Sequence, residues 1–169
     1  GTITDDSRHK IILQRAVRSA IAAKTPLSVE MLAQQFVDFQ CRVGEPNSAA
    51  LNRLVEEGLR EYRFAANWIL GKRDLSSARP VERLWSGVNN CSGQMLMPTL
   101  AIAYAGMPEA AYKRAFELHF VDTPMARDFT AALVSGLAAA LDPKLDYSSP
   151  RKRFDRCLQA LRETDPFQI

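Results

Sequence analysis

At 169 residues, with 47% apolar and 24% charged side chains, the chain has the size and composition of one globular domain with a real core, which excludes a disordered segment. No apolar run approaches the roughly 18 residues that a bilayer span needs, and the N-terminus lacks the basic and apolar regions of a signal peptide. The formal charge is only +3, and Cys41, Cys91 and Cys157 have neither disulfide-framework nor zinc-ligand spacing, so a reducing, cytoplasmic setting and no membrane partner are expected.

The first predicted helix runs from about Asp6 to Ala23, with Leu13, Ala16, Val17 and Ala20 on one stripe and Arg8, Arg15 and Arg18 on a more polar side. At its head stands Thr4-Asp5-Asp6-Ser7. Two adjacent carboxylates flanked by hydroxyls are hard oxygen ligands, suited to Mg²⁺, Ca²⁺ or Mn²⁺. The same residues are also ordinary helix-start chemistry, because Asp and Ser favour caps and carboxylates meet the positive end of the helix dipole. Spacing alone leaves both readings open, with capping the commoner.

Thr25-Pro26 breaks this helix, and a second is predicted from about Ser28 to Cys41 with Leu32, Phe36 and Phe39 near helical spacing. A turn at Gly44-Glu45-Pro46-Asn47 separates it from the longest one, about Ser48 to Leu70. Leu51, Leu54, Val55, Leu59, Tyr62, Ala66 and Ile69 form its apolar stripe, with Gly58 nearby for close contact, Trp68 as an anchor and Gly71 as the stop. Arg53 with Glu57 and Glu56 with Arg60 place opposite charges four residues apart.

From Lys72 to Gln94 regularity fades. Long irregular stretches in compact domains are often functional. The end of this one, Asn89-Asn90-Cys91-Ser92-Gly93-Gln94, offers amides, a hydroxyl and a glycine just before an apolar run, where backbone N–H groups can hold a phosphate or a sugar oxygen. A plain turn and cap fits equally well. Met95 to Ala105 is apolar nearly all round and predicts a buried helix, with Pro98 in its first turn and Gly106 as its stop. Pro108-Glu109 opens another helix through Tyr112, Ala115, Phe116 and His119; His119 has no Cys or His at ligand spacing and is read as a packed or surface residue. Asp122-Thr123-Pro124 makes a corner before an Ala-rich helix, about Met125 to Leu141, in which Gly136 permits close approach. Ser149-Pro150 caps a last helix with Phe154, Cys157, Leu158 and Leu161 on one face, and Arg151-Lys152-Arg153 at its start is a solvated patch. The expected architecture is all-α, roughly seven helices, in a single helical domain over residues 1–169.

Three segments in this order resemble the ADP-ribosylglycohydrolase superfamily. Gly1-Thr2-Ile3-Thr4-Asp5-Asp6-Ser7 before a helix is similar to that family's Thr-Asp-Asp-Thr/Ser metal motif. Gly93-Gln94-Met95-Leu96-Met97-Pro98, followed by Ala105-Gly106-Met107-Pro108-Glu109-Ala110-Ala111-Tyr112, resembles its glycine-containing loop, buried helix and "Gly-x-Pro-Glu-x-Ala" helix start. Asp122-Thr123-Pro124-Met125-Ala126 resembles the corner before its Ala-rich helix.

The resemblance implies a compact multi-helix fold and, in catalytic members, a pair of Mg²⁺ ions that bind the substrate's ribose and help release a group from its anomeric carbon. By position, Thr4, Asp5 and Asp6 match metal ligands, with Asp5 and Asp6 as the catalytic pair. Asn90, Cys91, Ser92, Gly93, Gln94 and Met97, with Asp122, match the substrate-facing positions. The substrate implied is an ADP-ribosyl group, a nucleoside or a related sugar. This sequence departs from the pattern where the family commonly has an Arg near Met97 and a His in place of Asp122. It also lacks the Gly- and Asp-containing helix that precedes the first metal motif and the Asp-x-Asp-Thr motif that supplies the second set of ligands. The chain therefore matches the central part of such a domain, and a complementing segment or chain is an expected partner. The alternative expectation is a non-catalytic helical binding or assembly module that keeps the fold. Nucleic acid is disfavoured, since Arg151-Lys152-Arg153 is a thin basic footprint with no interleaved aromatics.

Overall fold

Short polar and special residues decide where the helices of this chain begin and end. In the computed structural model, which describes residues 5–39, 48–71, 91–146 and 148–164, Ser28 turns extended and its hydroxyl accepts the Met31 N–H at 3.2 Å, starting a helix at Val29. The first two helices are α1 (Asp5–Ala23) and α2 (Val29–Asp38). Between them Lys24 takes the left-handed conformation at φ 53°, letting the Thr25 N–H reach back to the Ala20 carbonyl and close α1. The third, α3, covers Ser48–Ile69, and Gly71 at φ 71° follows it as the expected stop. The expected turn at Gly44-Glu45-Pro46-Asn47 and the stretch 72–90 lie outside the described residues.

The contacts divide the chain into two compact units, Gly1–Trp85 and Ser86–Ile169, each with its own core. In the first, α2 packs on both α1 and α3. Ile12, Leu13 and Ala16 of α1, Leu32, Ala33 and Phe36 of α2 and Leu59, Tyr62 and Ala66 of α3 are all buried. Phe36 and Tyr62 stack with ring centroids 4.5 Å apart, and His9 tilts against both. Arg8, expected on the polar side, is only 8% exposed. Gly58 is exposed instead of serving a close helix contact, and α2 ends at Asp38, short of Cys41. The Arg63 guanidinium explains this early stop: its Nε donates to the Phe36 carbonyl at 3.1 Å and Nη2 donates to the Phe39 carbonyl, satisfying acceptors that a continuing helix would have used. The side chains of Leu51, Arg53, Leu54, Val55 and Glu56 lie outside the described residues.

The second unit contains α4 (Ser92–Leu96), a 3₁₀ turn (Met97–Thr99), α5 (Leu100–Ala103), α6 (Pro108–Leu118), α7 (Pro124–Ala140) and α8 (Pro150–Thr164). Helix α7 is its centre, packed by α6 on one side and α8 on another. The predicted continuous helix over Met95 to Ala105 is broken. Pro98 has no N–H to return to the preceding turn, so the chain tightens into 3₁₀ there before α5 begins. Nor is this run buried all round: Leu96, Met97, Leu100 and Ala101 face the core while Ile102 is 67% exposed. Gly106, at φ 79°, donates its N–H to the Ala138 carbonyl at 2.9 Å and pins the turn after α5 to the end of α7.

Gly136 does what its position in the sequence suggested. A Cβ there would lie 2.9 Å from Cys157 Sγ and 3.0 Å from Leu161 Cγ, so the missing side chain lets α7 and α8 touch. On α8 Ala160 is buried and Cys157 and Leu161 are half-buried, whereas Phe154 and Leu158 face outward, against the sequence expectation. Among the described residues there is no strand, in keeping with the all-α class, and no helix is long and apolar enough to cross a membrane.

Candidate functional site

Helix α6 ends at Leu118, and the five residues that lead to α7, at Pro124, carry His119 and Asp122. Thr123 N-caps α7 with its hydroxyl facing the Ala126 N–H at 3.5 Å. The corner turns Asp122 inward. Its carboxylate accepts from Ser92 Oγ at 2.5 Å and from the Gly93 N–H at 3.0 Å, and His119 Nε2 lies 2.8 Å from the same Oδ2 that Gly93 uses. Ser92, His119 and Asp122 are all at most 5% exposed. The first turn of α4 is thus tied to the corner between α6 and α7, across 29 residues of sequence, by one buried carboxylate.

Each component has a local reason. Gly93 must be glycine: a Cβ would fall 2.7 Å from Thr130 Oγ1 and 2.8 Å from His119 Nε2. Thr130, buried on α7, walls the cradle from the far side. Burial by itself pushes the Asp122 carboxyl toward its neutral form, but the hydrogen bond and charge of His119, then Ser92 and Gly93, outweigh it and hold the group below the usual carboxylate range. A buried carboxylate that accepts two hydrogen bonds and has an imidazole nitrogen 2.8 Å away is a satisfied one.

This arrangement is not a nucleophile triad. Such chemistry needs the imidazole against the hydroxyl, with the carboxylate behind the imidazole. Here the carboxylate sits between Ser92 and His119, accepting from the hydroxyl, so it holds both in place without making Ser92 an attacking group.

Of the predicted substrate-facing positions, the structure brings Ser92, Gly93 and Asp122 together and buries them with Met97, which is fully enclosed. Cys91 and Gln94, on either side of the Ser92-Gly93 pair, are exposed. Asn90 lies outside the described residues. In the first unit, Asp5 opens α1 and Asp6 follows in the first turn with an exposed side chain; Thr4 and the Asp5 side chain lie outside the described residues. Among the described residues no three His, Cys, Asp or Glu side chains gather as a metal-ligand group.

Sequence reasoning missed His119. The signal was present: a His and an Asp three residues apart, just past a helix end, can face one another once the chain leaves the helix. Searches against protein-family models, curated proteins and solved structures find no match to this chain.

Proposed function

We propose that this chain is the central part of an ADP-ribosylglycohydrolase-like hydrolase, acting on a glycosidic bond of an ADP-ribosyl, nucleoside or related sugar with help from Mg²⁺. The observation that carries the reading is the junction of two of the three resembling segments. The Ser92-Gly93 turn and the Asp122 corner, each weak as a motif, meet through two hydrogen bonds to one carboxylate. That supports treating them as parts of one site.

Thr4, Asp5 and Asp6 would hold the metal. Their donor set is all hard oxygen, and Asp6 is exposed at the head of α1, which fits Mg²⁺. When bound, the ion supplies Lewis-acid polarisation of a sugar or water oxygen. The chain's own contribution in the second unit is positional: the turn at Cys91–Gln94 offers a thiol and a carboxamide outward from a rigid, buried base.

The test is thermal unfolding of the full protein with and without Mg²⁺. The wild type should gain stability by the mass-action relation between ligand concentration and Kd, and Asp5→Asn with Asp6→Asn should remove the gain. An unchanged Mg²⁺ response in the double variant overturns the metal site.

The competing reading, a non-catalytic binding module with the same fold, has one observation in its favour. The two positions at which the resembling family carries Arg and His are here Met97 and Asp122, both sealed from solvent. Steady release of ADP-ribose or a free sugar by the full protein would decide against it.

A further inference from the structure

The exposed side of α8 carries a stripe that neither the core nor the ion pairs explain. Arg151, Phe154, Leu158 and Arg162 follow one another at spacings of 3, 4 and 4 residues, which lines them up along one side of a helix. All four are exposed, Phe154 by 59% and Leu158 by 36%. Arg151, Leu158 and Arg162, with Asp155, Gln159 and Glu163, also wall a shallow open groove of about 500 Å³ along the helix. Single exposed apolar side chains are ordinary. Here a Phe and a Leu one turn apart lie between two arginines that stand about 16 Å apart along the axis.

We propose that this stripe is a docking surface for an acidic amphipathic helix of another protein, a reading independent of the hydrolase proposal. Apolar anchors one turn apart are what the apolar face of a partner helix meets. The charge around them sets its sign. The helix holds five basic residues against two acidic ones, and Arg162, at one end of the stripe, has no carboxylate partner among the described residues. Arg151 at the other end pairs with Asp155, but both side chains are more than half exposed, and such a pair exchanges for a partner's carboxylate at small cost. A second copy of this chain is the wrong occupant. Antiparallel pairing of two such stripes sets Arg151 against the Arg162 of the copy at both ends, and parallel pairing sets each arginine against itself. The apolar area is also far below the roughly 800 Å² per partner of a stable interface, since it amounts to two partly exposed side chains. The complex is therefore a weak one, with Kd on the order of tens of micromolar or above.

The experiment uses the full chain and a fluorescein-labelled synthetic helix of about five turns, with leucines four apart on one face and glutamates flanking them. The control peptide has lysine in place of every glutamate. Anisotropy is read at about 0.05 and 0.15 M salt. The acidic peptide should bind saturably and the lysine peptide should not. Phe154→Ala with Leu158→Ala should weaken binding at least about fivefold at both salt concentrations. Arg151→Gln with Arg162→Gln should weaken it at low salt and flatten its salt dependence. Because these side chains are exposed, both double variants should melt with the wild type; if the apolar pair does not, Phe154→Ser alone is read in its place.

Equal binding of the two peptides would overturn the proposal, as would wild-type affinity in the apolar variant or no binding of the acidic peptide at millimolar concentration. Sedimentation velocity and vesicle pelleting test the other occupants. A dimer of the wild type that Phe154→Ser abolishes would assign the stripe to a second copy. Pelleting of the wild type, but not of that variant, with phosphatidylcholine–phosphatidylserine vesicles would assign it to a lipid surface. Either result rejects the acidic helix.

Discussion

Asp122 is the residue on which acid sensitivity should concentrate. In the folded chain its carboxyl is held below the usual range, against burial, by His119, Ser92 and Gly93. An unfolded Asp titrates near about 3.9. A depressed folded value means that the unfolded chain binds the proton more readily at moderate acidity. The stabilisation is therefore complete above the unfolded value and is lost as pH falls through the folded one. The expected outcome is a melting temperature that declines below about pH 4, with a shallower decline in Asp122→Asn once its lower starting stability is taken into account. Melting curves from pH 6 to pH 2.5 check it, and parallel curves for the two proteins would remove Asp122 from the explanation. Asp146, whose carboxyl is also held low by Ser148, is fully exposed and should contribute little to this limb.

At the scale of elements, the contact of α7 with α8 turns on Gly136. Alanine in a helix interior ordinarily gains up to about 1 kcal/mol over glycine. Here its Cβ would stand 2.9 Å from Cys157 Sγ and 3.3 Å from the Cys157 carbonyl, and neither atom is the far end of a flexible chain. Overpacking of this kind costs about 1–3 kcal/mol, so the clash should win and Gly136→Ala should destabilise in urea unfolding. Cys157→Ala removes the sulfur but leaves the carbonyl and Leu161, so combined with Gly136→Ala it should recover part of the loss and not all of it. Strict additivity of the two changes would show that the helices separate instead of clashing. This contact was legible from sequence, because a lone glycine in an Ala-rich helix has few other uses, and so were the stops at Gly71 and Gly106. The break at Pro98 was half legible: the proline was seen, but the apolar run around it argued for continuity. Arg8 and the Asp122 cradle were not legible. Their environments are made by residues distant in sequence, and periodicity within one helix carries no information about a partner on another. The same reason limits the candidate site, of which the motif order could name Ser92, Gly93 and Asp122 but not that the Asp122 carboxylate ties the first two to each other and to His119.

For the molecule as a whole, the net charge of +3 is matched by a single element. Helix α8 carries five basic residues (Arg151, Lys152, Arg153, Arg156 and Arg162) against two acidic ones, Asp155 and Glu163, and the remainder of the chain balances. A basic helix invites a nucleic-acid reading, and the geometry argues against it. Arg151 Nε contacts Asp155 at 3.0 Å, Lys152 Nζ faces Asp146 at 3.6 Å, and Arg156 faces Glu163 at 3.7 Å. A phosphate would have to draw these cations from carboxylates already beside them. Even if Arg151, Lys152 and Arg153 each took one phosphate of a duplex, counterion release gives a logarithmic salt slope of only about −2.7, or roughly a twentyfold loss between 50 and 150 mM salt. Starting from the weak affinity that three contacts confer, little should remain at physiological ionic strength. The expected result is no retention of duplex DNA or single-stranded RNA by the full protein at 150 mM salt, with the same result after Arg151→Gln, Lys152→Gln and Arg153→Gln together. Filter binding or fluorescence anisotropy at both salt concentrations measures it. Binding that persists at 150 mM and vanishes in the triple variant would make α8 a nucleic-acid surface and reverse the reading of its ion pairs as a solvated face.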